Sequence, residues 1–141
     1  MSGKGSKPRP INNREQFESN WDRIFGMKNN ENAKRKAKGR RLQQWVRDKL
    51  VEELGVHPED IESRSMGAGG EDLIMARAAR EKFPYSIECK NVEKLNVWDA
   101  YSQASENSGN YEPIVVMKKN GKKPLVVVDA EYFMRLHNET D

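Results

Sequence analysis

The spacing of apolar residues changes period along the chain. Phe17, Trp21, Ile24 and Phe25 recur at helical spacing, with Asn13 placed to cap a short helix and Gly26 to stop it. Lys28 to Asn32 reads as a polar linker. From Ala33 to Leu54 the pattern is again helical: Leu42, Trp45, Val46, the stem of Lys49, Leu50 and Leu54 form one face, and Gly55 is a natural stop. The period then shortens. Strands are predicted at Ile61–Ser65, Asp72–Ala76, Tyr85–Lys90, Pro113–Lys118 and Pro124–Asp129, with Asn120 and Gly121 marking a hairpin turn between the last two. Val97–Asn107 reads as a helix crossing between strands and Ala130–His137 as a closing helix. Three strands on short connections predict an antiparallel meander, and the helix after them permits a crossover into a mixed sheet. The expectation is an α/β domain over residues 33–137, preceded by an N-terminal arm over 1–30.

Composition narrows this picture. A chain of 141 residues with 35% hydrophobic and 33% charged positions builds one small core under an ionised surface. No apolar run approaches the roughly 18 residues of a membrane span, and no signal peptide opens the chain, so a soluble, cytoplasmic protein is expected. Cys89 is the single cysteine; with only His57 and His137 beside it, a disulfide framework and a structural zinc site are excluded.

Charge is unevenly spread. Residues 1–50 hold 14 Lys or Arg against 5 Asp or Glu, whereas residues 51–141 hold 11 against 17. Met1 to Pro10 reads as a flexible basic arm, and Lys34, Arg35, Lys36, Lys38, Arg40 and Arg41 crowd the first half of the second helix. A basic front beside an acidic back suits a polyanion-binding protein with a metal site.

The candidate chemistry lies in Gly70-Glu71-Asp72-Leu73-Ile74-Met75 and Ile87-Glu88-Cys89-Lys90-Asn91. On a strand Glu88 and Lys90 share a face, about 7 Å apart along the chain, while Ile87 and Cys89 face the core. A Glu and a Lys on an apolar strand are costly unless compensated. A divalent cation bridged by Glu88 and Asp72 compensates them, and hard oxygen ligands suit Mg²⁺. Such an ion polarises a scissile phosphate and lowers the pKa of a bound water, with Lys90 placed to stabilise developing negative charge. An edge-strand ion pair for Glu88 and Lys90, and a turn role for Asp72, are the plainer readings of the same residues.

Asp72 followed by Glu88-x-Lys90, inside an α-β-β-β-α-β order, resembles the PD-(D/E)XK nuclease superfamily. The likeness is greatest to its archaeal-type Holliday junction resolvases and small phage nucleases, and it covers about residues 33–136. The resemblance implies a restriction-endonuclease-like core. It also implies Mg²⁺ as cofactor, with Mn²⁺ able to substitute, held by Asp72, Glu88 and the backbone carbonyl of Cys89. Lys90 then takes the place of the family's lysine, and Gln103 that of a polar residue facing the site from the next helix. Lys38-Gly39-Arg40-Arg41 is similar to the basic opening of resolvase first helices. One position departs: the family usually carries Glu four residues after that glycine, where this chain has Gln43. Glu52 and Glu53 lie about 14 Å further along a helix axis, too far to replace it. Glu71 reaches the site only if the Gly69-Gly70 loop turns it inward.

The function expected is therefore a metal-dependent DNA endonuclease acting on branched or structured DNA. Asp72, Glu88, Lys90 and Gln103 are its catalytic set, and Arg35, Lys36, Lys38, Arg40 and Arg41 bind phosphate. Ser65, Lys118 and Lys119 are further phosphate contacts, for which strand polarity and an exposed soluble turn are equally good explanations. A resolvase is expected to be a two-fold homodimer. The alternatives are a nicking, flap or repair endonuclease, and a non-catalytic DNA-binding protein on a decayed nuclease fold. The basic opening and the Phe17–Phe25 stripe resemble small tailed-phage proteins, implying a viral role and a protein partner for that helix. Trp98 is expected in the core, Cys89 as a buried small hydrophobe, and His57 as turn punctuation.

Overall fold

The computed structural model describes residues 8–64 and 70–138, with side chains from Asn30 onward. The basic arm before Pro8, Ser65, and the side chains of Phe17 to Phe25 lie outside the described residues. Helix α1 runs unbroken from Pro8 to Leu54. It passes through Gly26 and the polar stretch 28–32, where the sequence predicts a break. A glycine inside a helix costs only about 1 kcal/mol relative to alanine, too little to end one unaided. The helix ends instead at Gly55, which takes φ 70°. The Gly55 N–H donates to the Val51 carbonyl and the Val56 N–H to the Leu50 carbonyl, a closure that needs a left-handed residue. The chain groups into two units, Met1–Lys34 and Arg35–Asp141.

After a 3-10 turn at Pro58–Asp60, capped by the His57 imidazole, come β1 (Ile61–Ser63) and β2 (Leu73–Met75), paired antiparallel. Helix α2 (Arg77–Lys82) leads to β3 (Tyr85–Asn91), α3 (Val97–Glu106) to β4 (Glu112–Lys118), and β5 (Leu125–Val127) to α4 (Ala130–Arg135). Strands β3 and β4 run parallel across the α3 crossover, and β5 returns antiparallel to β4. The fold is thus α/β with a mixed sheet. The expected three-strand meander is corrected: β1–β2 and β3–β4–β5 are separate sheets. The Arg-Ala-Ala-Arg-Glu-Lys stretch, rich in helix formers, makes α2 where a hairpin connection was expected.

Two clusters clamp the larger sheet. Leu42, Val46 and Leu50 of α1 pack with Leu73, Ile87, Cys89, Ile114 and Val116 on one face. Ala100 and Ala104 of α3 pack on Val115 on the other. Each fully buried Leu or Ile contributes about 1.5–3 kcal/mol relative to exposure. The α1 core face differs from the one read from the sequence: Trp45 is 43% exposed and Leu54 also lies outside, while Gln43 is buried. Trp98, expected in the core, is 82% exposed, because α3 meets the sheet through the small side chains of Ala100 and Ala104. Among the described residues no helix is long and apolar enough to cross a membrane.

Candidate active site

Strand β3 alternates as its sequence requires. Ile87 and Cys89 join the α1-side core, while Ser86, Glu88 and Lys90 take the other face. Glu88 is nonetheless only 4% exposed. Its Oε2 lies 3.4 Å from Lys90 Nζ, and its Oε1 is buried with no hydrogen-bond partner among the described residues. An unmet buried acceptor of this kind costs about 1–3 kcal/mol, more when charged.

Asp72 reaches the same place from the loop before β2. Its N–H donates to the Ile87 carbonyl at 3.0 Å, and its own carbonyl accepts the Arg64 N–H at 2.8 Å. Its Oδ2 accepts the Cys89 N–H at 2.7 Å. Asp72 is thereby held along the free edge of β3, opposite the edge that pairs with β4. A residue's N–H and C=O point to the same edge of an extended strand, so the Cys89 carbonyl shares that edge with the Asp72 carboxylate.

The third contributor comes from α1. Gln43, 1% exposed, hydrogen-bonds the Asp72 carboxylate, and its Oε1 accepts the Ser63 hydroxyl at 2.5 Å. A relay from Ser63 through Gln43 to Asp72 thus ties β1, α1 and the β2 approach together. The buried arc of α1 runs through Gly39, Leu42, Gln43, Val46 and Leu50, at the spacing of one helix face.

The electrostatics follow from this burial. Desolvation raises the Asp72 carboxyl above its ordinary pKa, opposed by the Cys89 N–H, the Lys90 charge, Gln43 and Arg64. Desolvation also raises Glu88, the Asp72 charge adds to it, and Lys90 opposes both. Cys89 is pushed well up by burial and stays a neutral thiol, in keeping with its core role. Glu88, lifted by the Asp72 charge, needs a counter-charge if both carboxyls are to ionise together.

Compared with protein families, with curated proteins and with solved structures, the chain has no match. What the site can do therefore rests on its own groups.

Among the described residues no cluster of three or more His, Cys, Asp or Glu side chains forms. Glu71, the reserve acid, is spent in a half-buried ion pair with Arg80, and Glu52 and Glu53 are exposed on α1. The donor set on offer is two carboxylates, one of them with an orphaned oxygen, and the Cys89 carbonyl edge. That set fits Mg²⁺, which keeps several waters and shares its shell with substrate phosphate.

The remaining predicted residues divide. Lys36, seven positions before Gln43, shares its flank of α1 and is exposed. Lys38, Arg40 and Arg41 line a cavity, with Lys118 and Asn120 across it. Arg35 and Lys119 are exposed, the latter in the β4–β5 loop. Gln103 is an exposed residue of α3, and among the described residues no side-chain hydrogen bond joins it to Asp72, Glu88 or Lys90. Sequence reasoning put Gln43 at the position of the family's Glu but missed its hydrogen bonds to Asp72 and from Ser63. The signal for Gln43 was its place four residues after Gly39 and three before Val46, within the buried arc.

Proposed function

We propose that this protein is a Mg²⁺-dependent DNA endonuclease, with Asp72 and Glu88 as the metal-holding acids and Lys90 beside them. One observation carries the reading: the half-buried Asp72 carboxylate at the free edge of β3 lies close enough for its charge to raise the buried Glu88 carboxyl, and Glu88 keeps a buried oxygen without a partner among the described residues. A fold retains such a costly pair where an ion or a reacting group compensates it. Asp72, Glu88 and the Cys89 carbonyl would hold the metal, which supplies polarisation of the scissile phosphate and a water of lowered pKa. Gln43 and the Cys89 N–H orient the Asp72 carboxylate. Lys90, 3.4 Å from Glu88, stabilises negative charge growing on the phosphate oxygens. Lys36, on the same flank as Gln43, grips a flanking phosphate. The likeness to junction resolvases makes branched DNA the preferred substrate and a homodimer the working form, acting in the cytoplasm.

A second reading has its own support. Lys90 already neutralises part of the Glu88 charge, and Gln43 supplies an amide where the nuclease family has a carboxylate. Both features suit a non-catalytic DNA-binding module. Four-way junction, flap, duplex and single-stranded DNA, each incubated with Mg²⁺, Mn²⁺, Ca²⁺ or chelator, separate the two. Metal-dependent cutting that Asp72→Ala and Lys90→Ala abolish supports the nuclease. Undiminished DNA binding with no cutting under any metal supports the module, and equal cutting of all four DNAs removes the branch preference.

A further inference from the structure

The flank of α1 turned away from Gln43 carries a second arrangement. Arg41 and Trp45 of α1, Asn91 of β3, and Lys118, Asn120 and Pro124 of the β4–β5 hairpin line an open cavity of about 580 Å³, within the range that encloses a nucleotide-sized ligand. Its walls are stitched before any ligand arrives. Asn91 Nδ2 donates to the Lys38 carbonyl at 2.9 Å, and Glu93 Oε2 accepts both the Asn120 N–H at 2.8 Å and the Lys38 ammonium at 3.3 Å. The cavity's one carboxylate, Asp48, is engaged by Arg47 at 3.2 Å. Arg40 and Arg41 form no ion pair among the described residues, and Lys118 Nζ meets only the Lys119 carbonyl. Trp45 is the aromatic wall: a large ring left 43% exposed, with Lys49 as its cation neighbour at 5.9 Å and outside the cavity lining.

A flat ring beside uncommitted guanidinium and ammonium groups matches a ligand with a π-face and a negative backbone. Paired bases inside a duplex keep their faces stacked on each other, so an unpaired nucleotide is the form that can use the ring. We propose that this groove holds a single-stranded DNA segment, one base stacked on Trp45 and its flanking phosphates on Arg41 and Lys118. The inference rests on the DNA reading above for the identity of the polymer, but not on catalysis. It assigns to this face of α1 the unpaired arm of a branched or flapped substrate.

The test is equilibrium binding of labelled oligo-dT, oligo-rU and blunt duplex DNA to the full chain, in chelator so that cleavage plays no part. Trp45→Ala is expected to weaken oligo-dT binding about tenfold, Trp45→Phe to retain most of it, and duplex binding to change less than about twofold. Oligo-dT bound equally by parent and Trp45→Ala, or oligo-rU bound more tightly than oligo-dT by the parent, overturns the proposal. So does a Trp45→Ala protein that loses duplex and oligo-dT to the same extent. Should Trp45→Ala fail to fold, Trp21→Phe/Trp98→Phe leaves Trp45 as the sole tryptophan; its fluorescence must be quenched by saturating oligo-dT, and an unchanged emission overturns the assignment. Absence of cleavage with these binding results intact would count against the nuclease reading and leave the groove standing.

Discussion

Gln43 and Trp45 stand two residues apart on one helix, a turn of about 200° that puts them on opposite flanks. The first is 1% exposed and gives its amide to Asp72; the second is 43% exposed beside a cavity with Arg41 on its rim. On the buried flank, polar groups are withdrawn from water and must satisfy each other. Their retention there is expensive, so their arrangement is informative. On the open flank, water satisfies every cation at little cost, and charge alone identifies nothing. It is the exposed ring and the stitched walls that give that side a specific reading.

The buried flank is where the largest effects are expected. Asp72→Ala or Glu88→Ala should lower metal-dependent cleavage by at least about 10²–10³-fold in single-turnover assays, while oligo-dT binding in chelator stays within about twofold. Cleavage that survives either change places the chemistry elsewhere. Gln43→Ala should destabilise the fold by about 1–3 kcal/mol in urea titrations, because Ser63 and Asp72 lose their shared partner. A loss below about 0.5 kcal/mol would mean that the relay contributes little. Gln43→Glu puts a third carboxylate beside Asp72; it should lower stability at neutral pH in chelator and tighten Mn²⁺ binding measured by calorimetry.

Stability should also depend on pH through the same pair. Asp72 and Glu88 have folded pKa values raised above 3.8 and 4.5 respectively, chiefly by burial. Each therefore binds its proton more tightly in the folded chain. Their contribution is fully present below those unfolded values and is lost as pH rises through the raised folded range. Lys90 and Arg64 face the pair and hold part of that loss back. Mg²⁺ offsets the ionised pair, so the gain in Tm between chelator and Mg²⁺ should grow from about pH 5 to about pH 8. A gain that does not vary with pH would detach the metal from these carboxyls. The smallest effect belongs to the open flank: Arg41→Ala and Lys118→Ala should each reduce the salt slope of oligo-dT binding by about 0.7, and an unchanged slope would remove that residue from the phosphate path.

Much of this architecture is legible in the order of apolar runs. The strands at 85–91 and 112–118, the helix between them and the parallel crossover follow from strand-length apolar stretches flanking a helical period. The alternation of Ile87 and Cys89 against Glu88 and Lys90 follows from the two-residue period of a strand. Other features were misread for particular reasons. Trp45 looked like core because large aromatic residues usually bury, whereas the helix face is phased by Gly39, Leu42 and Val46. Trp98 misled in the same way on a helix that packs through alanines. Glu71 reaches the site only if its loop turns inward, and Arg80, nine residues on, instead brings it a partner that only the folding of α2 supplies. The helix break near Gly26 was overread, since glycine ends a helix only where the chain turns left-handed, as at Gly55.

The residue order alone determined which side chains share a face of β3 and where α1 stops, because those are local consequences of backbone geometry. It also placed the excess of positive charge on the first helix. Tertiary structure decided that Asp72 lies along the edge of β3, that Gln43 hydrogen-bonds it, and that one oxygen of Glu88 has no partner among the described residues. Those facts depend on how separate elements dock, and the docking is driven by burial of apolar surface that carries no information about which polar groups will be trapped with it.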